Sequence, residues 1–235
     1  MVYVTSDLHG FPLEKFKKFL NNVGFCKDDT LYILGDVLDR GPYGIELLTW
    51  IMQNKNTQLI LGNHENMLLE CDFPDEISET TIAGLKGSRL ASYRTWVANS
   101  GGVTMSSLLS TRDSEVKTIL KYLREAPLYK TITVNGKEFW LVHSGLGKFE
   151  KNKKLSDYLP VDLLWTRPSL NTRYFDDVTT VVFGHTPSVC YGNEYLGKIV
   201  KTDTWINVDV GVGIGQEPVL LRLNDMKEFY YKNYI

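Results

Sequence analysis

The chain has 235 residues, with 26 basic against 28 acidic side chains, a formal net charge of −2, 43% hydrophobic and 23% charged residues. These values exclude a disordered or collagen-like chain, and they leave polyanion binding by bulk charge without a basis, so nucleic acid is not an expected partner. The three cysteines (Cys26, Cys71 and Cys190) form no Cys-x-x-Cys pair, which fits neither a disulfide framework nor a thiolate metal cage and points to a reducing compartment. The N-terminal segment lacks the basic and apolar regions of a signal peptide, and no apolar run reaches the roughly 18 residues of a membrane span. A soluble cytoplasmic protein without a membrane partner is expected, organised as a single domain over residues 1–235.

In chain order, short apolar runs each end in a small residue followed by a polar cluster. Val2–Ser6 leads into Asp7-Leu8-His9-Gly10, Thr30–Leu34 into Gly35-Asp36, and Gln58–Leu61 into Gly62-Asn63-His64-Glu65. Phe139–Val142 leads into His143-Ser144-Gly145, and Thr180–Phe183 into Gly184-His185-Thr186. Runs of four or five β-branched and aromatic residues read as strands buried on both faces. Gly35, Gly62 and Gly184 are expected to serve close backbone turns. Between the runs, Leu13, Phe16, Phe19 and Leu20 recur at helical spacing before Gly24. Gly44–Met52 and Asn66–Glu70 also read as helices. Residues 71–126 read as a helical insertion at one edge of the sheet, with helices over Ser88–Leu109 and Ser114–Glu125. Asn135-Gly136 supplies a hairpin turn, and strands follow near Trp205–Val210 and Val219–Leu223. The aromatic Phe229–Tyr231 stretch reads as a packed end. The fold class is α/β, a two-sheet sandwich flanked by helices.

All four histidines in the chain, His9, His64, His143 and His185, follow a predicted strand beside Gly, Asp or Asn. Ligands in α/β sheets bind outside the carboxyl ends of the strands. Five such ends bring Asp7, His9, Asp36, Asn63, His64, His143 and His185 to one rim. A lone histidine after a strand is commonly a packed or capping residue, and a lone Asp commonly caps a helix. Four of four at equivalent positions is not accounted for that way. Carboxylate, imidazole and amide donors without thiolate suit two divalent ions of the manganese, iron or zinc kind. Asp36, on a central strand end, is the natural bridge between them.

These motifs, with Gly35-Asp36-Val37-Leu38-Asp39-Arg40-Gly41 and Gly184-His185-Thr186-Pro187, resemble the ordered signature of the metallophosphoesterases. Within them the chain resembles the bacterial and bacteriophage lambda-like serine/threonine protein phosphatases, with Trp96-x-x-Asn99-Ser100-Gly101-Gly102 and Trp165-Thr166-Arg167 as further landmarks. The resemblance implies the calcineurin-like fold and a binuclear centre, with manganese favoured. One ion would be held by Asp7, His9 and Asp36, the other by Asp36, Asn63, His143 and His185. It implies that His64 is a general acid oriented by Asp39, that Arg40 and Arg167 bind phosphate oxygens, and that a metal-bridging hydroxide attacks phosphorus directly. No Ser or Cys is positioned as a nucleophile.

The expected substrate is a phosphomonoester, phosphoserine or phosphothreonine in proteins foremost. Glu65, where dinucleotide enzymes often have Asp, favours that over a dinucleoside polyphosphate such as diadenosine tetraphosphate. An inactive phosphoprotein-binding module would have lost a ligand or the acid, and none is missing. Two features depart from the resembled pattern: Leu38, and Asn207–Gly213 where relatives read Asp-x-Gly-Ala. The lysine run 148, 151, 153 and 154 reads as a solvated loop.

Overall fold

The computed structural model describes residues 1–74, 77–175 and 179–235; residues 75 and 76, within the expected insertion, lie outside the described residues. In chain order the strands are β1 (Val2–Thr5), β2 (Thr30–Ile33), β3 (Thr57–Leu59), β4 (Tyr129–Val134) and β5 (Lys137–Val142). They continue with β6 (Thr179–Phe183), β7 (Val200–Lys201), β8 (Trp205–Asn207), β9 (Val219–Arg222) and β10 (Lys227–Tyr230). Two five-stranded mixed sheets result, ordered β10-β9-β1-β2-β3 and β4-β5-β6-β8-β7. Strands β1, β2 and β3 run parallel, as do β5, β6 and β8, so their carboxyl ends point the same way within each sheet.

The two-residue side-chain alternation of a strand explains the layers. Tyr3, Leu31, Ile33 and Leu59 face the helices on the first sheet. Their neighbours Val4, Tyr32, Leu34 and Ile60 face the opposite way and meet Phe139, Leu141, Val182 and Ile206 of the second sheet. Val142, Val181, Phe183 and Trp205 point outward from the second sheet under Leu163 and Tyr174. Strands buried on both faces therefore read as continuous apolar runs.

The helices are α1 (Leu13–Asn22), α2 (Gly44–Gln53), α3 (Asn63–Glu70), α4 (Glu79–Ala83), α5 (Gly87–Trp96), α6 (Gly102–Leu109), α7 (Asp113–Glu125) and α8 (Pro160–Leu164). α1 buries Leu13, Phe16, Phe19 and Leu20, the four residues its periodicity singles out. The expected continuous helix over Ser88–Leu109 is broken: Asn99 and Ser100 leave helical geometry, Ser100 at φ 74°. Helix α3 starts three residues earlier than its periodicity indicates, because Asn63 and His64 form its first turn. α5 and α6 pack on α3 and α2 respectively, and α7 packs on both α2 and α3, its Tyr122 hydroxyl accepting the Leu59 N–H of edge strand β3. The aromatic C-terminal stretch pairs with β9 as β10, and Phe229 and Tyr231 are buried in the helix-side core. Among the described residues no helix is long and apolar enough to cross a membrane.

Candidate active site

The carboxyl ends of β1, β2, β5 and β6 and the start of α3 converge on one buried cluster. Asp7 and His9 follow β1, Asp36 follows β2, His143 follows β5 directly and His185 follows β6. The loops after β1 and β2 are stitched by backbone bonds, Asp7 N–H to Gly35 O (3.0 Å) and His9 N–H to Asp36 O (2.9 Å). The two sheets are tied by His185 N–H, which donates to Asp7 Oδ2 at 2.9 Å. Asp36 Oδ1 accepts the His64 N–H (3.0 Å), one of the orphan donors at the N-terminus of α3. The close approach requires Gly62, since a Cβ there would land on Asp36 Oδ1.

Backbone strain concentrates here. Among the described residues eleven non-glycine residues have positive φ, and six of them are Asp7, His9, Asp36, Asp39, Arg40 and His185. Each such conformation costs about 1–3 kcal/mol and persists only where surrounding contacts impose it. An apolar packing role would not select left-handed backbone at these six places.

Asp36 is shared by two groups whose donor atoms lie within 4.8 Å of one another: His9, Asp36 and His64, and Asp36, His143 and His185. Its Oδ2 lies 3.7 Å from His9 Nε2 and 3.8 Å from His64 Nε2; its Oδ1 lies 3.4 Å from His143 Nε2. Asp7 Oδ1 is 3.9 Å from His9 Nε2. Asn63 Oδ1 sits 2.8 Å from both His143 Nε2 and His185 Nδ1.

The donor set fits divalent ions. His9 Nδ1 and His143 Nδ1 meet the carbonyls of Leu38 (2.9 Å) and Leu34 (2.6 Å), which can only accept, so each Nδ1 carries the proton and each Nε2 turns a lone pair inward. Burial holds His9 at about 3 and His185 at about 2 and pushes His143 below the ordinary imidazole value, so all three are neutral and free to ligate. Burial alone would raise Asp36, but His143, His64, His9 and His185 outweigh it and hold the carboxyl below its usual range. Asp7 is raised by burial and then by Asp209 and Asp36, and Asp209 is pushed up to about 7 by burial and Asp36. Three carboxyls crowded without a cation between them repel; divalent ions would relieve this.

His64 stands apart from the other three. Its Nδ1 meets a carboxylate, Asp39 Oδ2, at 2.6 Å rather than a carbonyl. Burial opposes its charge, but Asp36 and the bond and charge of Asp39 prevail, and its pKa is raised.

Beside the cluster lies a cup of about 220 Å³ whose lining includes Asp7, His9, Arg40, Arg167, His185 and Asp209. Both arginines are exposed, and no carboxylate among the described residues lies in ion-pair distance of either. The family model for calcineurin-like phosphoesterases matches residues 1–210. The chain belongs to that family.

Two curated relatives are similar to this phosphoesterase over part of their length. It is 29% identical to the symmetrical bis(5'-nucleosyl)-tetraphosphatase of Acidovorax ebreus over 62% of this chain and 44% of that one. It is 27% identical to serine/threonine-protein phosphatase 7 of Arabidopsis thaliana over 72% of this chain and 46% of that one. The chain thus spans less than half the length of either. A solved structure of a proposed diadenosine tetraphosphatase has the same fold, with TM-score 0.64 at 16% identity, covering 97% of this chain and 91% of that one.

Strand-end reasoning about the phosphoesterase missed four buried groups. Glu65 is fully buried and accepts four backbone N–H bonds, from Asp36, Val37, Leu38 and Gly62. Its position three residues after Gly62 is a capping-box spacing that signals this. Asp209 ends the β8 run just as Asp7 ends β1. Ser6 donates to Asp7, and Thr104 donates to Asp39 at 2.6 Å from the helical segment; neither has a local signal. Cys190 lines the cup, although no imidazole or carboxylate among the described residues hydrogen-bonds its thiol. In the lysine loop, Lys148 pairs with Asp162 at 3.8 Å and Lys153 lies over the Tyr158 ring, outside the cup.

Proposed function

We propose that this phosphoesterase hydrolyses phosphomonoesters, with phosphoserine and phosphothreonine side chains of proteins as the leading substrates. The observation that carries the reading is the division among the four histidines: three neutral imidazoles face Asp36, and one, His64, is bonded to a carboxylate and tuned toward its charged form. Asp7, His9, Asp36, Asn63, His143 and His185 would hold two divalent ions, manganese foremost given the oxygen and nitrogen donors. Bound there, the ions supply an acidic water as nucleophile and neutralise phosphoryl charge.

The chain's own residues account for the rest. Arg40 and Arg167 present planar guanidinium forks to the phosphoryl oxygens, a match that lysine would not reproduce. His64, with Nδ1 anchored on Asp39, turns Nε2 into the site and gives its proton to the leaving oxygen. His64→Ala is expected to lower turnover of an alkyl phosphomonoester about 10²–10⁴-fold. Elemental analysis of the same variant should still find two ions per chain; loss of one would make His64 a ligand.

For substrate class, the cup carries two guanidiniums, and a second pocket of about 430 Å³, lined also by Pro168, Leu170, Thr186 and Tyr191, shares Arg167 and Cys190 with it. That arrangement suits one phosphoryl group on a partly apolar carrier better than a tetraphosphate chain, which calls for further cations. The dinucleoside polyphosphate reading is favoured by the curated relatives that carry that name. With manganese, kcat/KM for a phosphoserine peptide is expected to exceed that for diadenosine tetraphosphate, and a chelator should abolish both. The reverse order would transfer the assignment to the dinucleotide.

A further inference from the structure

Asp39 is wholly buried and its carboxylate is saturated with donors from two directions. Oδ2 accepts from His64 Nδ1 at 2.6 Å and from the Trp96 indole Nε1–H at 2.8 Å. Oδ1 accepts from the Thr104 hydroxyl at 2.6 Å, and that hydroxyl in turn accepts the Asp39 N–H at 2.9 Å. Trp96 ends α5 and Thr104 lies in the first turn of α6, so the two donors flank the break in the helical segment. The break is what brings them together. Ser100 adopts φ 74° there and its carbonyl meets the Arg40 N–H at 3.4 Å. Gly101 packs so tightly under the indole that a Cβ would lie 2.5 Å from it.

We propose that Trp96 and Thr104 are positioning residues for proton delivery, which makes the helical segment over residues 79–125 part of the catalytic device and not only a cover. The inference rests on His64 acting as the acid. A buried carboxylate with one donor can rotate about its Cβ–Cγ bond; with three side-chain donors and its own N–H bonded to Thr104, it has one orientation. That orientation aims His64 Nδ1, and through the rigid ring it aims Nε2. Charge-assisted bonds among buried groups are strong enough to enforce the geometry. Removing a donor leaves the imidazole in place but lets its aim wander, and proton transfer depends steeply on alignment.

The test uses two substrates that differ in their need for an acid. Glycerol 2-phosphate leaves as an alkoxide that must be protonated, whereas p-nitrophenolate leaves without help. Thr104→Val and Trp96→Phe are expected to lower kcat on glycerol 2-phosphate about 10- to 100-fold, part of the about 10²–10⁴-fold a general acid supplies. On p-nitrophenyl phosphate kcat should change little, KM should hold on both substrates, and Thr104→Ser, which keeps the hydroxyl, should restore the alkyl activity. Equal losses on both substrates, or no loss on either, would overturn the proposal. His64→Ala run alongside separates the two claims. If its loss is selective for the alkyl ester while those of Trp96→Phe and Thr104→Val are not, the positioning role alone is wrong. If the His64→Ala loss is not selective, the acid assignment and the positioning role both fall. Should Trp96→Phe not fold, Thr104→Val carries the test, with its melting temperature as the control.

Discussion

Asp36→Asn is expected to bind fewer than one divalent ion per chain and to lose about 10³-fold or more in phosphomonoester hydrolysis. The loss corresponds to the several kcal/mol of charge stabilisation that bound ions provide. Asp36 is common to both candidate ligand groups, with Oδ1 toward His143 and Oδ2 toward His9. The amide keeps an acceptor for the His64 N–H, which now bonds Asp36 Oδ1, so the start of α3 stays in place. What disappears is the anionic charge that the two candidate ligand groups share, without which they would hold divalent ions poorly. The metal-free variant should therefore melt close to the metal-free parent, while the rise in melting temperature that manganese gives the parent should be lost. Elemental analysis after dialysis, with paired melts, checks this; two retained ions and near-parental turnover would remove Asp36 from the bridging role.

Glu65→Ala is expected to lose about 4 kcal/mol or more of stability, and Glu65→Gln a smaller but clear amount together with most activity. The Glu65 carboxylate receives Gly62 and Asp36 N–H on Oε2 (3.1 and 2.9 Å) and Val37 and Leu38 N–H on Oε1 (2.9 and 3.0 Å). It clamps the loop that carries Asp36 and Asp39 onto the first turn of α3. Burial and the charge of Asp36 push its carboxyl up to about 7, against backbone donors that favour the anion. Alanine would strand four buried N–H groups, each costing about 1–3 kcal/mol, in a fold whose whole stability is of the order of 5–15 kcal/mol. Glutamine would turn its NH₂ toward two of those donors. Urea denaturation midpoints and turnover on p-nitrophenyl phosphate read both effects. A Glu65→Gln protein with the parental midpoint would show that the clamp is dispensable.

The architecture was legible because its signals are local. Continuous apolar runs ending in Gly or Asp mark strands buried on both faces, and the Leu13–Leu20 spacing marks the buried stripe of α1. Two short strands escaped for the same reason. The two-residue strand β7 has too few residues for a period, and β10 is identified only by its pairing with β9. The break at Asn99–Ser100 interrupts a segment whose composition favours helix; it follows from the fit of Trp96 and Thr104 around Asp39, which no window of neighbouring residues contains.

The sequence by itself determined which side chains collect at the rim, because a residue just past a parallel strand has one place to go. Asp7, His9, Asp36, His143 and His185 meet for that reason, and their types already call for divalent cations. Residue types and spacing did not separate the four imidazoles from one another, since His64 and His185 stand in similar surroundings along the chain; only the family resemblance singled out His64. Folding separates them: His9 and His143 meet backbone carbonyls, whereas His64 meets the carboxylate of Asp39, 25 positions away. A proton's affinity for a ring nitrogen depends on the group opposite it and on exclusion of water, and both are set by long-range packing.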